Sequence, residues 1–210
     1  MRRISTIIPL IIVSIFVFGC NNNQSVSDKA LLNDLMIKAQ NIKVISYDMS
    51  MVIKYNEQDG SEYTITGKGK TFLNEQRFRM ENELNGLLST VIALDNNELW
   101  SLDAETNTAR MLDVRHKGML ASEWAYEDIK FISLIAQEEI DGHDCTVLRI
   151  EKNQQEPINK LWIRNDIGMP IKIETIIPGG GGDSLLLIYN ISMDTPDDNL
   201  FEIPNYYTIE

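Results

Sequence analysis

Tyr47-Asp48-Met49-Ser50-Met51-Val52-Ile53-Lys54-Tyr55 and, beyond Glu57-Gln58-Asp59-Gly60, Glu62-Tyr63-Thr64-Ile65-Thr66-Gly67-Lys68-Gly69-Lys70-Thr71-Phe72-Leu73 are the stretches whose period decides the fold. In the first, Tyr47, Met49, Met51, Ile53 and Tyr55 share one side, and Ser46, Asp48, Ser50 and Lys54 the other, with Val52 the exception. A period of two is that of a half-buried antiparallel strand. The Asp-Gly pair between the stretches favours a tight hairpin turn. In the return strand Gly67 and Gly69 fall on one side, which predicts a bend or a close contact there.

The alternation continues outward. Gln76 to Glu83 sets Phe78 and Met80 against Arg77, Arg79 and Glu81. Leu87 to Asp95, Glu98 to Asp103 (with Trp100 and Leu102 on one side) and Thr108 to Asp113 follow, separated by polar turns. Such a series reads as a meander. Upstream, Ser27 has N-cap chemistry, and Leu31, Leu35 and Ile42 set out the apolar side of a helix from about 28 to 42. Between Lys117 and Gln137 the period lengthens again. Met119, Leu120 and Trp124, then Ile129, Ile132, Leu134 and Ile135, predict two short helices broken near Tyr126. Strands resume at Glu138–Ile140, Cys145–Asn153, Ile158–Asn165, Pro170–Ile177 and Leu185–Met193, with Gly179 to Gly182 as a glycine hairpin loop. Asn199 to Pro204 closes the chain as a short edge segment. The fold class expected is mainly β, one curved antiparallel sheet forming an incomplete barrel around short helices.

The N-terminus carries an address. Arg2 and Arg3 precede an apolar run from Ile4 to Phe18, which is short of the ~20 residues of a membrane-spanning helix. Val17-Phe18-Gly19-Cys20 resembles the bacterial lipobox, in which a diacylglyceryl group joins the cysteine and cleavage falls before it. The expected organisation is a signal peptide over 1–19, a polar tether over 20–27 and a single domain over 28–210. Cys20 would be the lipidation site of an exported protein anchored to the cell membrane or the outer membrane. Without residues 1–19 the chain carries 17 basic against 31 acidic residues, a formal charge of −14. That balance excludes nucleic acid as a partner and leaves acyl chains, not a basic patch, to hold the membrane. Cys145, at the start of an apolar strand, is expected as a buried inert thiol with no disulfide partner.

Catalytic constellations are absent from the sequence. His116 and His143 lie in no metal-ligand spacing, there is no Gly-x-Ser-x-Gly elbow, and Gly67-Lys68-Gly69-Lys70 lacks the spacing of a phosphate loop. Glu138-Glu139 and Asp197-Asp198 read as solvated ends of elements. No catalytic residue, metal ligand or cofactor is therefore assigned. The apolar sides are the candidates instead: Tyr47, Met49, Met51, Ile53, Phe78, Met80, Trp100, Leu102 and Met111 either line a cavity or pack as a dry core. Nine methionines suit an adaptable apolar interior.

The order of these stretches resembles the LolA/LolB-type lipoprotein-sorting family. Tyr47-Asp48-Met49-Ser50-Met51 resembles its first strand after the N-terminal helix, and Phe78-Arg79-Met80-Glu81 its third. Ile92 to Asp103 is similar to a family hairpin ending in an aromatic. Leu161 to Lys172 is similar to a strand, turn, Leu-Pro, strand unit, and Leu200-Phe201-Glu202-Ile203-Pro204 to its closing motif. The resemblance implies a half-barrel around a helical lid whose concave apolar surface holds an acyl chain or a lipidated protein. The basic-proline element of the carrier is not present. Asn74-Glu75-Gln76-Arg77 stands in its place, with Arg77 and Arg79 the nearest cations, alternating with Phe78 and Met80 as an outer face would. The other reading open to this sequence is an envelope interaction or regulatory module with a filled core and no transported ligand.

Overall fold

The computed structural model describes residues 26–56, 61–94, 98–112, 131–151, 157–178 and 182–210. Cys20, the signal segment, most of the tether, His116 and the 117–130 part of the expected helical insertion lie outside these residues. The chain opens with helix α1 (Val26–Gln40). Twelve strands follow: β1 (Val44–Asn56), β2 (Glu62–Asn74), β3 (Arg77–Leu84), β4 (Leu87–Ala93), β5 (Leu99–Asp103), β6 (Thr108–Leu112), β7 (Phe131–Ile140), β8 (His143–Glu151), β9 (Ile158–Arg164), β10 (Pro170–Ile177), β11 (Gly182–Ser192) and β12 (Thr208–Ile209). A short 3-10 helix, Asp198–Phe201, precedes β12.

All twelve strands join one sheet in the order β12-β6-β5-β4-β3-β2-β1-β11-β10-β9-β8-β7. Every pairing is antiparallel except β12 on β6. The two ends of the order do not meet, so the sheet stays open. The protein is mainly β, with a sheet that does not curl closed and one described helix against it. The topology follows from the tight turns. Asn85-Gly86 and Asp141-Gly142 both take positive φ, as two-residue hairpin turns require.

Two expectations are corrected. Residues 131–136 are not helical. They form the first half of β7, where Leu134 faces Leu148 but Ala136 faces Val147, so one residue bulges. The bulge breaks the period of two and leaves Ile132, Leu134 and Ile135 at helix-like intervals. The closing segment is a 3-10 turn over Asp198–Phe201 and not an edge strand; the edge is taken by β12. Asp197 initiates the turn by accepting from the Asn199 N–H at 2.9 Å.

Residues directly opposite in a pair share a face. On what we call the inner face, Leu134, Leu148, Leu161, Ile173, Leu186, Met51, Gly67, Leu84 and Leu87 are successive neighbours across nine strands. The row beside it runs Ile132, Ile150, Asn159, Thr175, Ser184, Ile53 and Ile65. Its two buried polar side chains satisfy one another, Thr175 Oγ1 donating to Asn159 Oδ1 at 2.8 Å. α1 covers one half of this face. Its Leu32 and Leu35 are buried with Ile132, Leu148, Ile150, Leu161, Ile163 and Ile173. A second inner cluster holds Ile45, Leu73, Phe78, Ala93 and Leu99 under Ile42 and Met169. The outer face has its own covers. Cys145, Val147, Trp162 and Ile171 form one patch. Ile92, Leu102 and Ala109 lie with Ile203 and Tyr207 of the C-terminal segment.

Candidate functional site

Where α1 meets the ends of β7, β8 and β9, the two layers part into an open groove of about 440 Å³. Leu31, Asp34, Leu35, Ile37 and Lys38 of α1 form one wall, and Gln137, Thr146 and Asn165 the other. The volume lies within the range of small-molecule sites. The helix reaches this place because Leu32, Leu35 and Ala39 recur at helical spacing and are buried on the sheet. The turn after β9 is clasped to it: the Lys38 ammonium donates to the Asn165 carbonyl oxygen. Gly168 packs so tightly that a Cβ there would overlap the Leu35 carbonyl oxygen.

The sheet wall is neutral and internally bonded. Thr146 Oγ1 donates to Asn165 Oδ1 at 2.6 Å, Gln137 Nε2 donates to Thr146 Oγ1 at 3.1 Å, and Asn165 Nδ2 donates to Gln137 Oε1 at 3.3 Å. Asp34 and Lys38, on the helix wall, supply one charge of each sign. The groove thus has Leu31, Leu35 and Ile37 beside two charged groups on its helix wall and neutral polar groups on its sheet wall. Chemically it can shelter a hydrocarbon chain and position a polar end. Among the described residues no group of His, Cys, Asp and Glu is arranged to hold a metal ion.

The nine apolar residues singled out in the sequence are not brought together, and none of them lines this groove. Tyr47, Phe78 and Met80 belong to the packed second cluster. Burial pushes the Tyr47 hydroxyl above its ordinary 10.0. Met49 and Met51 lie over the two glycines, with Met49 Cγ 3.2 Å from where a Gly69 Cβ would be and Met51 Cε 3.5 Å from that of Gly67. They leave a void of only about 10 Å³ there, room for no more than about one water. Ile53 is half-buried beside them.

Trp100, Leu102 and Met111 point the other way. Ile92 faces both Arg79 and Trp100, and Trp100 faces Met111, which places all three on the outer face. Leu102 and Trp100 lie under the C-terminal segment, and Met111 is exposed. Arg77 and Arg79 hold that segment: Arg77 bonds Asp198 at 2.7 Å with its guanidinium 4.9 Å from the Phe201 ring centre, and Arg79 donates to the Leu200 carbonyl at 3.2 Å. Cys145 is fully buried, and burial raises its thiol. Of the groove's own residues, Leu31 and Leu35 were legible as the helix's apolar side. Gln137, Thr146 and Asn165 carry no local signal, since only tertiary packing gathers them.

Residues 49–175 match the family described as "Domain of unknown function (DUF4412)". No curated protein matches the sequence. Among solved structures, the chain is similar to an uncharacterized conserved protein from Thermus thermophilus, with 10% identity over 88% of this chain and 98% of that one and a TM-score of 0.54. It is similar to MucB, with 14% identity over 88% of this chain and 66% of that one and a TM-score of 0.53. This chain therefore spans just under two thirds of MucB. A structure of the MucA/MucB complex from Pseudomonas aeruginosa aligns with a TM-score of 0.50, at 15% identity over 88% of this chain and 64% of that one. A LolA superfamily protein from Nitrosomonas europaea aligns at 13% identity over 85% of this chain and 98% of that one, TM-score 0.37. At these identities the likeness to MucB and to the Thermus thermophilus protein is one of fold alone.

Proposed function

The chain belongs to the DUF4412 family, and from that premise we propose that it is an exported, lipid-anchored binding protein that shelters an acyl chain, or the acyl chain of a lipidated protein, in the groove beside α1. The lipobox-like Val17 to Cys20 supports the anchor, through acylation of Cys20. The observation that carries the binding reading is the groove itself, about 440 Å³ open between α1 and the sheet and walled by Leu31, Leu35 and Ile37. Covering hydrocarbon there would gain about 2.5 kcal/mol per 100 Å² before ordering costs. The reading includes no catalytic step: binding is transfer of apolar surface out of water. It places residues 28–210 in one half-barrel domain.

The test is native mass spectrometry of the full-length protein gently extracted from membrane, with titration of a fluorescent fatty acid. Co-purified lipid and saturable binding are expected. Ile37 lines the groove and is 47% exposed. Ile37→Glu puts a carboxylate in the groove and is expected to weaken fatty-acid binding at least about tenfold. If no lipid co-purifies and the fatty acid does not bind, the reading fails.

A second reading is favoured by a specific observation. Around Met49 and Met51 the inner face is filled to about 10 Å³, as in an interaction module with a packed core. MucB, of like fold, is seen in complex with MucA. An envelope protein that binds the lipid-free form, with an affinity unchanged by Ile37→Glu, would favour this second reading.

A further inference from the structure

The apolar inner row ends twice in exposed leucine, Leu87 on β4 and Leu134 on β7. β7 is an edge of the sheet, paired among the described residues with β8 alone. Phe131, Leu134 and Ile135 on it are 47, 42 and 47% exposed, and Phe131 to Gln137 carries no charge. A bare apolar edge invites another strand. Here two devices oppose that: the bulge between Leu134 and Ala136, and Asp28, whose Oδ2 accepts from the Leu134 N–H at 3.5 Å. Neither hides the side chains. An edge closed to strand addition but still apolar fits a fluid apolar surface better than a peptide.

The tether decides which surface. α1 begins at Val26, six residues after Cys20. Six residues span at most about 20 Å. The Asp28 contact sets the start of α1 against Leu134. Leu87 is eight strand spacings away along the row, about 38 Å along the sheet. A lipid on Cys20 thus keeps the Leu134 end within about 20 Å of the bilayer and sets no such limit on the Leu87 end. Among the described residues the carboxylates near the patch are placed or neutralised: Asp28 is held on the Leu134 N–H, Glu151, opposite Phe131, bonds Arg149, and Glu138 and Glu139 lie at the far end of the strand.

We propose that the β7 edge is a bilayer-contact surface, with Phe131, Leu134 and Ile135 resting in the interface of the membrane that carries the acylated Cys20. The proposal rests on the acylation of Cys20 given above. It also bears on the groove. Gln137, three residues along β7 from Leu134, lines it, so an acyl chain of the same leaflet reaches the groove without crossing water.

The experiment uses full-length acylated protein in vesicles of phosphatidylethanolamine with phosphatidylglycerol. An environment-sensitive fluorophore is attached at Leu134→Cys or Ile135→Cys, and for comparison at Leu87→Cys or Glu105→Cys; buried Cys145 is shielded from the label. Expected are blue-shifted emission at 134 and 135 and quenching by brominated acyl chains several-fold stronger than at 87 and 105. Emission at 134 and 135 as water-like and unquenched as at 105, from protein that floats with the vesicles, overturns the contact surface. Intact-mass spectrometry reads the anchor separately: a parent protein with no diacylglyceryl adduct on Cys20 overturns acylation, and with it the orientation.

Discussion

Tyr47 shows at the scale of one residue what the sequence could and could not settle. Alternation assigned it to an apolar side, and the structure seats it in a packed cluster with Phe78 and Met80. Burial raises its hydroxyl above 10.0. A raised folded-state value means that stability is full below the unfolded value and is lost as pH climbs through the folded one. Unfolding followed by urea should therefore show stability falling as pH rises above about 10, and Tyr47→Phe should reduce that slope while leaving neutral-pH behaviour close to the parent. An unchanged alkaline slope would mean that Tyr47 ionises as freely folded as unfolded. What alternation could not supply was the match between faces of successive strands. A slip of one residue exchanges the two faces, and the pairing of β4 with β5 fixes that match. Hence Trp100, Leu102 and Met111 were grouped with Met80, although Trp100 stands across Ile92 from Arg79 on the other side.

Elements are legible in proportion to how cleanly they repeat. The β1–β6 meander and β8–β11 strictly alternate or run apolar between turn residues, and their bounds fall within a few residues of those expected. β7 was misread because its bulge adds one residue, and Ile132, Leu134 and Ile135 then imitate a helix. α1 was legible, but its seat was not, because the contacts that fix it come from a turn more than a hundred residues away. Gly168, at φ 70°, carries that contact. An added Cβ would overlap the Leu35 carbonyl, whereas at Gly86, φ 84°, it would meet open space. Both changes incur the left-handed backbone cost of about 1 kcal/mol. Gly168→Ala should lose about 3 kcal/mol in denaturant unfolding, and Gly86→Ala about 1 kcal/mol. Equal losses would show that the turn contributes nothing to docking α1.

For the whole molecule, one sheet is asked to serve two purposes, and α1 divides them. The half under α1, from β7 to β11, has a dense apolar cover. The tip of the β3–β4 hairpin has none among the described residues: Leu87 and Leu88 are 66 and 65% exposed. Backbone pairing does not distinguish the regions, since β9 and β3 both have strands on either side. Local opening energies follow apolar contact as well as hydrogen bonding. Native-state hydrogen exchange should therefore find the amides of β8, β9 and β10 among the slowest, and those of residues 82–89 at least about tenfold faster, a gap of about 1.4 kcal/mol. Uniform protection would mean that the sheet opens as a single unit and that α1 is not what divides it. An occupant of the groove should sharpen the contrast, because it binds against α1 and stabilises only the half that already resists opening.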